Sequence, residues 1–131
     1  MAEMKLEHFA LNVAEPVAMA EWYCKNLDMS VCRKGEGPVH MTFLADASGR
    51  VVLEIYTNPP ELVPDYPSIN PLVLHLAFAT ADIRTTHQRL VAAGAEPLGA
   101  IGANPAGDQL AFLRDPWGLT LQLVQRVSAM P

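Results

Sequence analysis

The sequence predicts an α+β fold made of two copies of one βαβββ module. Polar residues capable of binding metal recur at almost one interval: His8 and His75 lie 67 residues apart, and Glu54 and Gln122 lie 68 apart. Each of them stands in a segment in which every second side chain is apolar and the polar residue belongs to the other set, as in a half-buried strand. A single half could bury too little apolar surface to fold alone, so we expect both halves to share one domain over residues 1–131.

The first module is predicted over residues 4–57. A strand at 5–13 is followed by a helix from Pro16, whose missing N–H costs nothing in a first turn, to about residue 27. The apolar stripe of this helix is expected to comprise Val17, Ala20, Cys24 and Leu27. Glycine-containing turns then separate three further strands. These are predicted near residues 29–34, 38–44 and 50–57.

A proline-rich linker at 58–71 separates the two modules. It carries five prolines, which neither extend a helix nor donate to a sheet. The second module is predicted over 72–126, beginning with a strand at 72–80. Its helix should start after an Asp82 cap and stop at Gly94. Three more strands are predicted near residues 96–101, 109–114 and 119–126.

Charge and composition exclude several classes of partner. The net charge of −5 argues against duplex nucleic acid and anionic membranes, which both attract basic surfaces. No segment approaches the roughly 20 consecutive apolar residues of a membrane span. The N-terminal stretch does not resemble a secretion signal, so a cytoplasmic location is expected. Gly35-Glu36-Gly37 lacks the flanking strand, lysine and helix of a phosphate loop, so no nucleotide cofactor is expected.

Four polar side chains are predicted to share one face of the sheets. The alternation places His8, Glu54, His75 and Gln122 on the sheet face opposite to the one that packs against the helices. Imidazoles and a carboxylate facing an apolar cup need a partner, and a divalent cation supplies one. Mixed nitrogen and oxygen ligands favour Zn, Ni, Fe, Co or Mn, without selecting among them. Two histidines and one carboxylate also describe the site of non-haem iron oxygenases.

These positions, with the stretches EWYCKNLDM, DIRTTHQRLVAAGAEP and LRDPWGLTLQLVQ, resemble the vicinal oxygen chelate superfamily. That superfamily includes glyoxalase I, bleomycin and fosfomycin resistance proteins, methylmalonyl-CoA epimerase and ring-cleaving dioxygenases. The resemblance implies a curved eight-stranded cup holding one divalent metal ion per site at His8, Glu54, His75 and Gln122. It also implies a homodimer whose sites are shared between subunits.

Three functions are compatible with this resemblance. The first is a glyoxalase-like, metal-dependent lyase or isomerase, acting on a small oxygen-chelating substrate through a metal-bound enediolate-type intermediate. The second is an iron-dependent ring-cleaving dioxygenase, and the third is a metal-free binding protein of the bleomycin-resistance type. The glyoxalase pattern has a second glutamate where this chain has Gln122, and an amide cannot act as a base. Glu54, or a metal-bound hydroxide, is therefore the expected catalytic proton acceptor.

Four further residues are candidate substrate contacts. In the stretch PVHMTFLA, His40 and Thr42 are expected to face the cup, while Phe43 faces the helix. Tyr56 and Arg114 lie near predicted strand ends, where they are expected to touch the substrate at the rim.

Overall fold

The computed structural model of the protein describes residues 2–131, except for the side chains of Val51 and Val52. The chain divides between Pro64 and Asp65 into two compact units, called here the first and second units. This boundary falls inside the proline-rich segment predicted at 58–71. Two short 3₁₀ turns lie in that segment, at Pro60–Leu62 and Tyr66–Ser68.

The first unit has the predicted order of elements. It consists of β1 (Phe9–Asn12), α1 (Pro16–Asn26), β2 (Ser30–Lys34), β3 (Thr42–Ala45) and β4 (Val51–Tyr56). These strands form one sheet in the order β1-β4-β3-β2, in which β1 and β4 are parallel and the other pairs antiparallel.

The face of α1 that enters the core includes Ala20 and Leu27 of the predicted stripe but not Val17. Val17 is 49% exposed, whereas Met19 and Tyr23 are fully buried with Leu44 and Ile55 of the sheet. Met19 and Tyr23 are four residues apart and therefore lie on one side of a helix. Their large side chains fill the space above the sheet, and each contributes about 1.5–3 kcal/mol by its burial.

The second unit repeats this plan. It consists of β5 (Leu76–Ala79), α2 (Ile83–Ala92), β6 (Glu96–Ala103), β7 (Gln109–Arg114) and β8 (Thr120–Gln125), with the sheet order β5-β8-β7-β6. The Asp82 carboxylate accepts a hydrogen bond from the Thr85 backbone N–H at 3.1 Å, and Gly94 follows the helix with φ +109°. Both helix-end predictions are confirmed.

The same type of turn occurs once in each unit. Asp46 and Asp115 each accept a hydrogen bond at 2.9 Å from the backbone N–H two residues later. Gly49 and Gly118 complete these turns with φ +85° and +91°, a backbone conformation that residues with a Cβ atom rarely adopt. The matching turns place β4 and β8 at equivalent points of the two sheets.

The predicted α+β class with paired βαβββ units is confirmed. Within residues 2–131, the strands pair into two four-stranded mixed sheets and form no closed barrel. The same residues contain no helix with the length and apolar character needed to cross a bilayer.

Candidate functional site

The strand registers give Glu54 and Gln122 equivalent positions in their sheets. Glu54 pairs with Ala10 across the parallel β1–β4 ladder, and Gln122 pairs with Ala77 across the parallel β5–β8 ladder. His8 and His75 each lie two residues before the alanine, just outside the strand. Because side chains two residues apart point the same way in extended chain, each histidine is directed to the face of its Glu or Gln.

In the first unit, the His8 imidazole lies between two carboxylates. Its Nδ1 is 2.9 Å from Oε1 of Glu7, and its Nε2 is 3.4 Å from Oε1 of Glu54. The ring also meets Phe43 edge-on, with centroids 5.1 Å apart and planes at 86°. The side chains of His8 and Glu54 are 29% and 18% exposed, so this pair is accessible but largely shielded from solvent.

The separation of His8 and Glu54 fits two ligands of one metal ion. At 3.4 Å, the distance from Nε2 to Oε1 exceeds that of a good hydrogen bond, which is about 2.7–3.2 Å. Two ligand atoms that each lie about 2.0–2.1 Å from an ion, at a tetrahedral angle, are about 3.3–3.4 Å apart. The pair could therefore hold an ion without a large rearrangement.

In the second unit, His75 is oriented by the backbone. Its Nδ1 is 2.7 Å from the Pro71 carbonyl oxygen, which can only accept, so Nδ1 carries the hydrogen and donates. The Nε2 atom of the neutral ring then has a free lone pair, as a metal ligand requires. The ring contacts Phe112 edge-on at 5.2 Å, and Phe112 is the antiparallel partner of Gln122. This contact places His75 on the Gln122 face of the sheet.

Each unit thus contains one pair of the predicted donor positions. No group of three or more His, Cys, Asp or Glu side chains suited to a metal ion is found among residues 2–131. The four predicted positions comprise two imidazoles, one carboxylate and one amide. Their donor chemistry fits a first-row divalent ion.

The structure reverses the predicted facing of β3. Thr42 is 5% exposed and pairs with the buried Ile55, so it lies on the helix side of the sheet. Its hydroxyl donates to the His40 carbonyl oxygen at 3.0 Å. Phe43, predicted to face the helix, instead contacts His8 and pairs with Glu54. The prediction that Thr42 faces the site is wrong.

His40 lies in the turn before β3 and not in a strand. It has a left-handed backbone with φ +52°, and its N–H donates to the Glu36 carbonyl oxygen at 3.1 Å. The side chain lines a cavity of about 390 Å³ beside the start of α1, together with Pro16 and Glu21. Neither His8 nor Glu54 lines this cavity, so His40 is separate from the His8–Glu54 pair.

Arg114 has a different role from the predicted one, whereas Tyr56 ends β4 as predicted and its contact with a substrate stays a prediction. The Arg114 guanidinium donates to the carbonyl oxygens of Tyr66, Ile69 and Gly118 and to the Thr120 hydroxyl, at 3.0–3.2 Å. These bonds fasten the 66–69 segment to the β7–β8 hairpin within the second unit and occupy the guanidinium, which corrects the expected rim contact. Tyr56 is two residues after Glu54 on β4, hence on the same face and at the strand end.

Sequence reasoning missed three residues that contact the histidines. They are Glu7, Phe43 and Phe112. A signal existed for the phenylalanines, because their separation of 69 residues is close to the intervals of 67 and 68 between the predicted ligands. Glu7 precedes His8 directly, but nothing in the sequence shows that its carboxylate turns back toward the ring.

Comparison with known proteins identifies similar chains. A family model described as the Glyoxalase/Bleomycin resistance protein/Dioxygenase superfamily matches residues 5–123. No curated protein matches the sequence significantly.

Among solved structures, a glyoxalase family protein from Enterococcus faecalis is 27% identical with a TM-score of 0.71, over 92% of this chain and 97% of that chain. TnmS3, an antibiotic binding protein from Streptomyces sp. CB03234, is 21% identical with a TM-score of 0.71. That match covers 95% of this chain and 98% of the other.

Proposed function

Because the chain belongs to the Glyoxalase/Bleomycin resistance protein/Dioxygenase superfamily, we propose that it is a metal-dependent lyase or isomerase. Its substrate would be a small molecule with two neighbouring oxygen atoms. The observation that carries this proposal is the His8–Glu54 pair, whose Nε2 and Oε1 atoms are 3.4 Å apart on a partly shielded sheet face. This spacing suits two ligands of one ion better than a direct hydrogen bond.

The metal ligands in this proposal are His8 and Glu54 from the first unit and His75 and Gln122 from the second. A Zn, Ni, Fe, Co or Mn ion held there supplies Lewis acidity toward a substrate oxygen. With one carboxylate instead of two among its ligands, the site retains one formal positive charge. Such a site favours an anionic ligand, or one that becomes anionic during the reaction.

Glu54 is the proposed proton acceptor. An ionised carboxylate only accepts hydrogen bonds, and its neighbours on the sheet face are Phe43 and the small, exposed Ala10. The alanine leaves room above the sheet for a substrate, while Phe43 is an apolar neighbour of the carboxylate. Gln122 carries no titratable group, so it can offer an amide oxygen as a ligand but cannot take up a proton.

Metal binding by the purified protein tests this proposal. We expect the wild type to bind one ion per chain and to gain about 2.7 kcal/mol of stability when free metal is about 100 times its Kd. His8→Ala and Glu54→Ala should lose most of this gain. Glu61→Ala is the matched control, because it removes an exposed carboxylate from the 3₁₀ turn at Pro60–Leu62. Absence of a stability gain with Zn, Ni, Mn or Fe(II) would contradict metal dependence.

The reaction class is tested separately. Turnover of a hemithioacetal without oxygen uptake supports the lyase or isomerase, and Glu54→Gln should abolish it. Full activity in Glu54→Gln, together with inactivation by chelators, would remove Glu54 from the role of proton acceptor. Oxygen uptake with a catechol and Fe(II) would identify a dioxygenase instead.

The proposed assembly is a homodimer in which each site takes one donor pair from each subunit. Complementation tests it: a mixture of His8→Ala and His75→Ala chains should regain metal binding, since one site of each mixed dimer is intact. If both pairs came from one chain, every site in the mixture would carry a substitution. No recovery after co-refolding would therefore contradict shared sites.

A second candidate function is metal-free binding of a small molecule. It is favoured by the neutral Gln122 and by the similarity to TnmS3, which is described as an antibiotic binding protein. In that case, His8 and Glu54 would bind the ligand directly through hydrogen bonds. Metal-independent ligand binding that is weakened by Glu54→Gln would support this second function.

A further inference from the structure

We propose that Glu7 is a positioning residue that fixes the tautomer of His8 and so prepares its Nε2 atom to bind metal. This inference rests on the proposed metal-dependent function. It concerns a residue outside the set of four ligands, and it depends on one contact, the 2.9 Å distance between Oε1 of Glu7 and Nδ1 of His8.

The two carboxylates compete for one hydrogen of the neutral His8 ring. An ionised carboxylate is only an acceptor, so it interacts favourably with whichever ring nitrogen carries the hydrogen. Glu7 is 2.9 Å from Nδ1, whereas Glu54 is 3.4 Å from Nε2. The shorter contact is a well-formed hydrogen bond and the longer one is not. The hydrogen is therefore expected on Nδ1, which leaves the Nε2 lone pair directed toward Glu54.

Without Glu7, the preference would be reversed. Glu54 would then be the remaining carboxylate beside the ring, and a hydrogen on Nε2 would satisfy it. That tautomer blocks the nitrogen on the Glu54 side. Presenting Nδ1 to Glu54 instead would require the imidazole to leave its edge contact with Phe43, in which the ring centroids are 5.1 Å apart. Glu7 is thus the group that decides whether the nitrogen facing the Glu54 carboxylate carries the hydrogen.

His75 provides an internal comparison. Its Nδ1 donates to the Pro71 backbone carbonyl, so its tautomer does not depend on a side chain. The histidines of the two units are therefore oriented by different means, one by a replaceable carboxylate and one by the backbone. Only at His8 can a side-chain substitution remove the group that orients the ring.

The expected loss of metal affinity can be taken from other proteins. When a group that hydrogen-bonds to a metal-ligating histidine is removed, metal binding typically weakens 10- to 100-fold. The side chain of Glu7 is 78% exposed, so solvent competes with its hydrogen bond. We therefore expect the lower end of this range, about tenfold weaker binding in Glu7→Ala.

The experiment compares Zn²⁺ binding by the full-length wild type, Glu7→Ala and Glu3→Ala, using competition with a chromophoric chelator. Glu3 is an exposed acidic residue in the same N-terminal segment, and its substitution removes the same charge. Long-range ¹H–¹⁵N NMR of the metal-free proteins reports the His8 tautomer, and circular dichroism verifies folding. We expect Glu7→Ala alone to weaken binding about tenfold and to shift the ring hydrogen from Nδ1 to Nε2.

The outcomes separate this inference from the proposed function. Wild-type affinity in Glu7→Ala, or equal losses in Glu7→Ala and Glu3→Ala, would overturn the positioning role while leaving the metal site in place. An unchanged tautomer in Glu7→Ala would also overturn it. Failure of the wild type itself to bind Zn²⁺ would overturn the proposed metal dependence, and this inference with it.

Discussion

Gly118 and Gly49 occupy the same position of the repeated turn, yet their replacement by alanine should have different effects. Both have a left-handed backbone, with φ +91° and +85°. A residue with a Cβ atom pays about 1–2 kcal/mol in that conformation. A Cβ at Gly49 would have no atom within 4 Å, so Gly49→Ala should cost about 1 kcal/mol of unfolding free energy.

At Gly118, a steric cost adds to the backbone cost. A Cβ there would lie 2.6 Å from Cδ of Pro67 and 2.9 Å from its backbone nitrogen. Pro67 cannot withdraw easily, because Arg114 donates to the carbonyl oxygens of Tyr66 and Ile69 on either side of it. Overpacking of this kind costs about 1–3 kcal/mol, so Gly118→Ala should lose about 3 kcal/mol in total.

Urea unfolding followed by circular dichroism measures both losses. A domain of this size has about 5–15 kcal/mol of stability, so both variants should remain folded in buffer. The difference between them isolates the contact with the Pro67 segment, since the backbone cost is common to both. Equal losses would refute the close packing of that segment against the turn.

Three further predictions concern other contacts. Arg114→Met should lower the unfolding free energy by about 2–4 kcal/mol, because several acceptors lose a charged donor; a urea midpoint equal to that of the wild type would contradict this. The Thr85 backbone N–H and hydroxyl hold the pKa of the Asp82 carboxyl below its ordinary value, so the stabilisation is present above about pH 4 and is lost as the pH falls further. The difference in Tm between the wild type and Asp82→Ala should therefore shrink in acid, and a constant difference would argue against it. Phe43→Leu should weaken Zn²⁺ binding by about two- to tenfold, since an aromatic pair contributes about 0.5–1.5 kcal/mol, and unchanged affinity would exclude a role in holding the His8 ring.

The elements predicted best are those whose ends carry local signals. The second helix begins after Asp82 and stops before Gly94, because an aspartate cap and a left-handed glycine act within one turn of the chain. Strand β7, at Gln109–Arg114, agrees with its predicted bounds. Its four consecutive apolar residues, 110–113, lie between the polar residues Gln109 and Arg114, and turn residues flank the strand on both sides.

The facing of β3 was predicted wrongly because alternation was counted through a turn. The prediction treated 38–44 as continuous strand, but the left-handed residue His40 breaks the extended chain and β3 begins at Thr42. Since side-chain facing in a strand has a period of two, an error in where the strand starts can reverse every assignment. The role of Arg114 was missed for a related reason, because its acceptors at 66 and 69 lie far away in sequence.

The sequence by itself determined the duplication, the order of elements and the positions of His8, Glu54, His75 and Gln122, because these follow from periodicity and from signals within a few residues. Only the tertiary structure decided the partners of each imidazole: Glu7, Glu54 and Phe43 around His8 in the first unit, and Pro71 and Phe112 around His75 in the second. Such contacts depend on strand register and on the path of loops. Together these set the distance between two atoms with a precision of tenths of an ångström. No periodic pattern encodes distances of that precision.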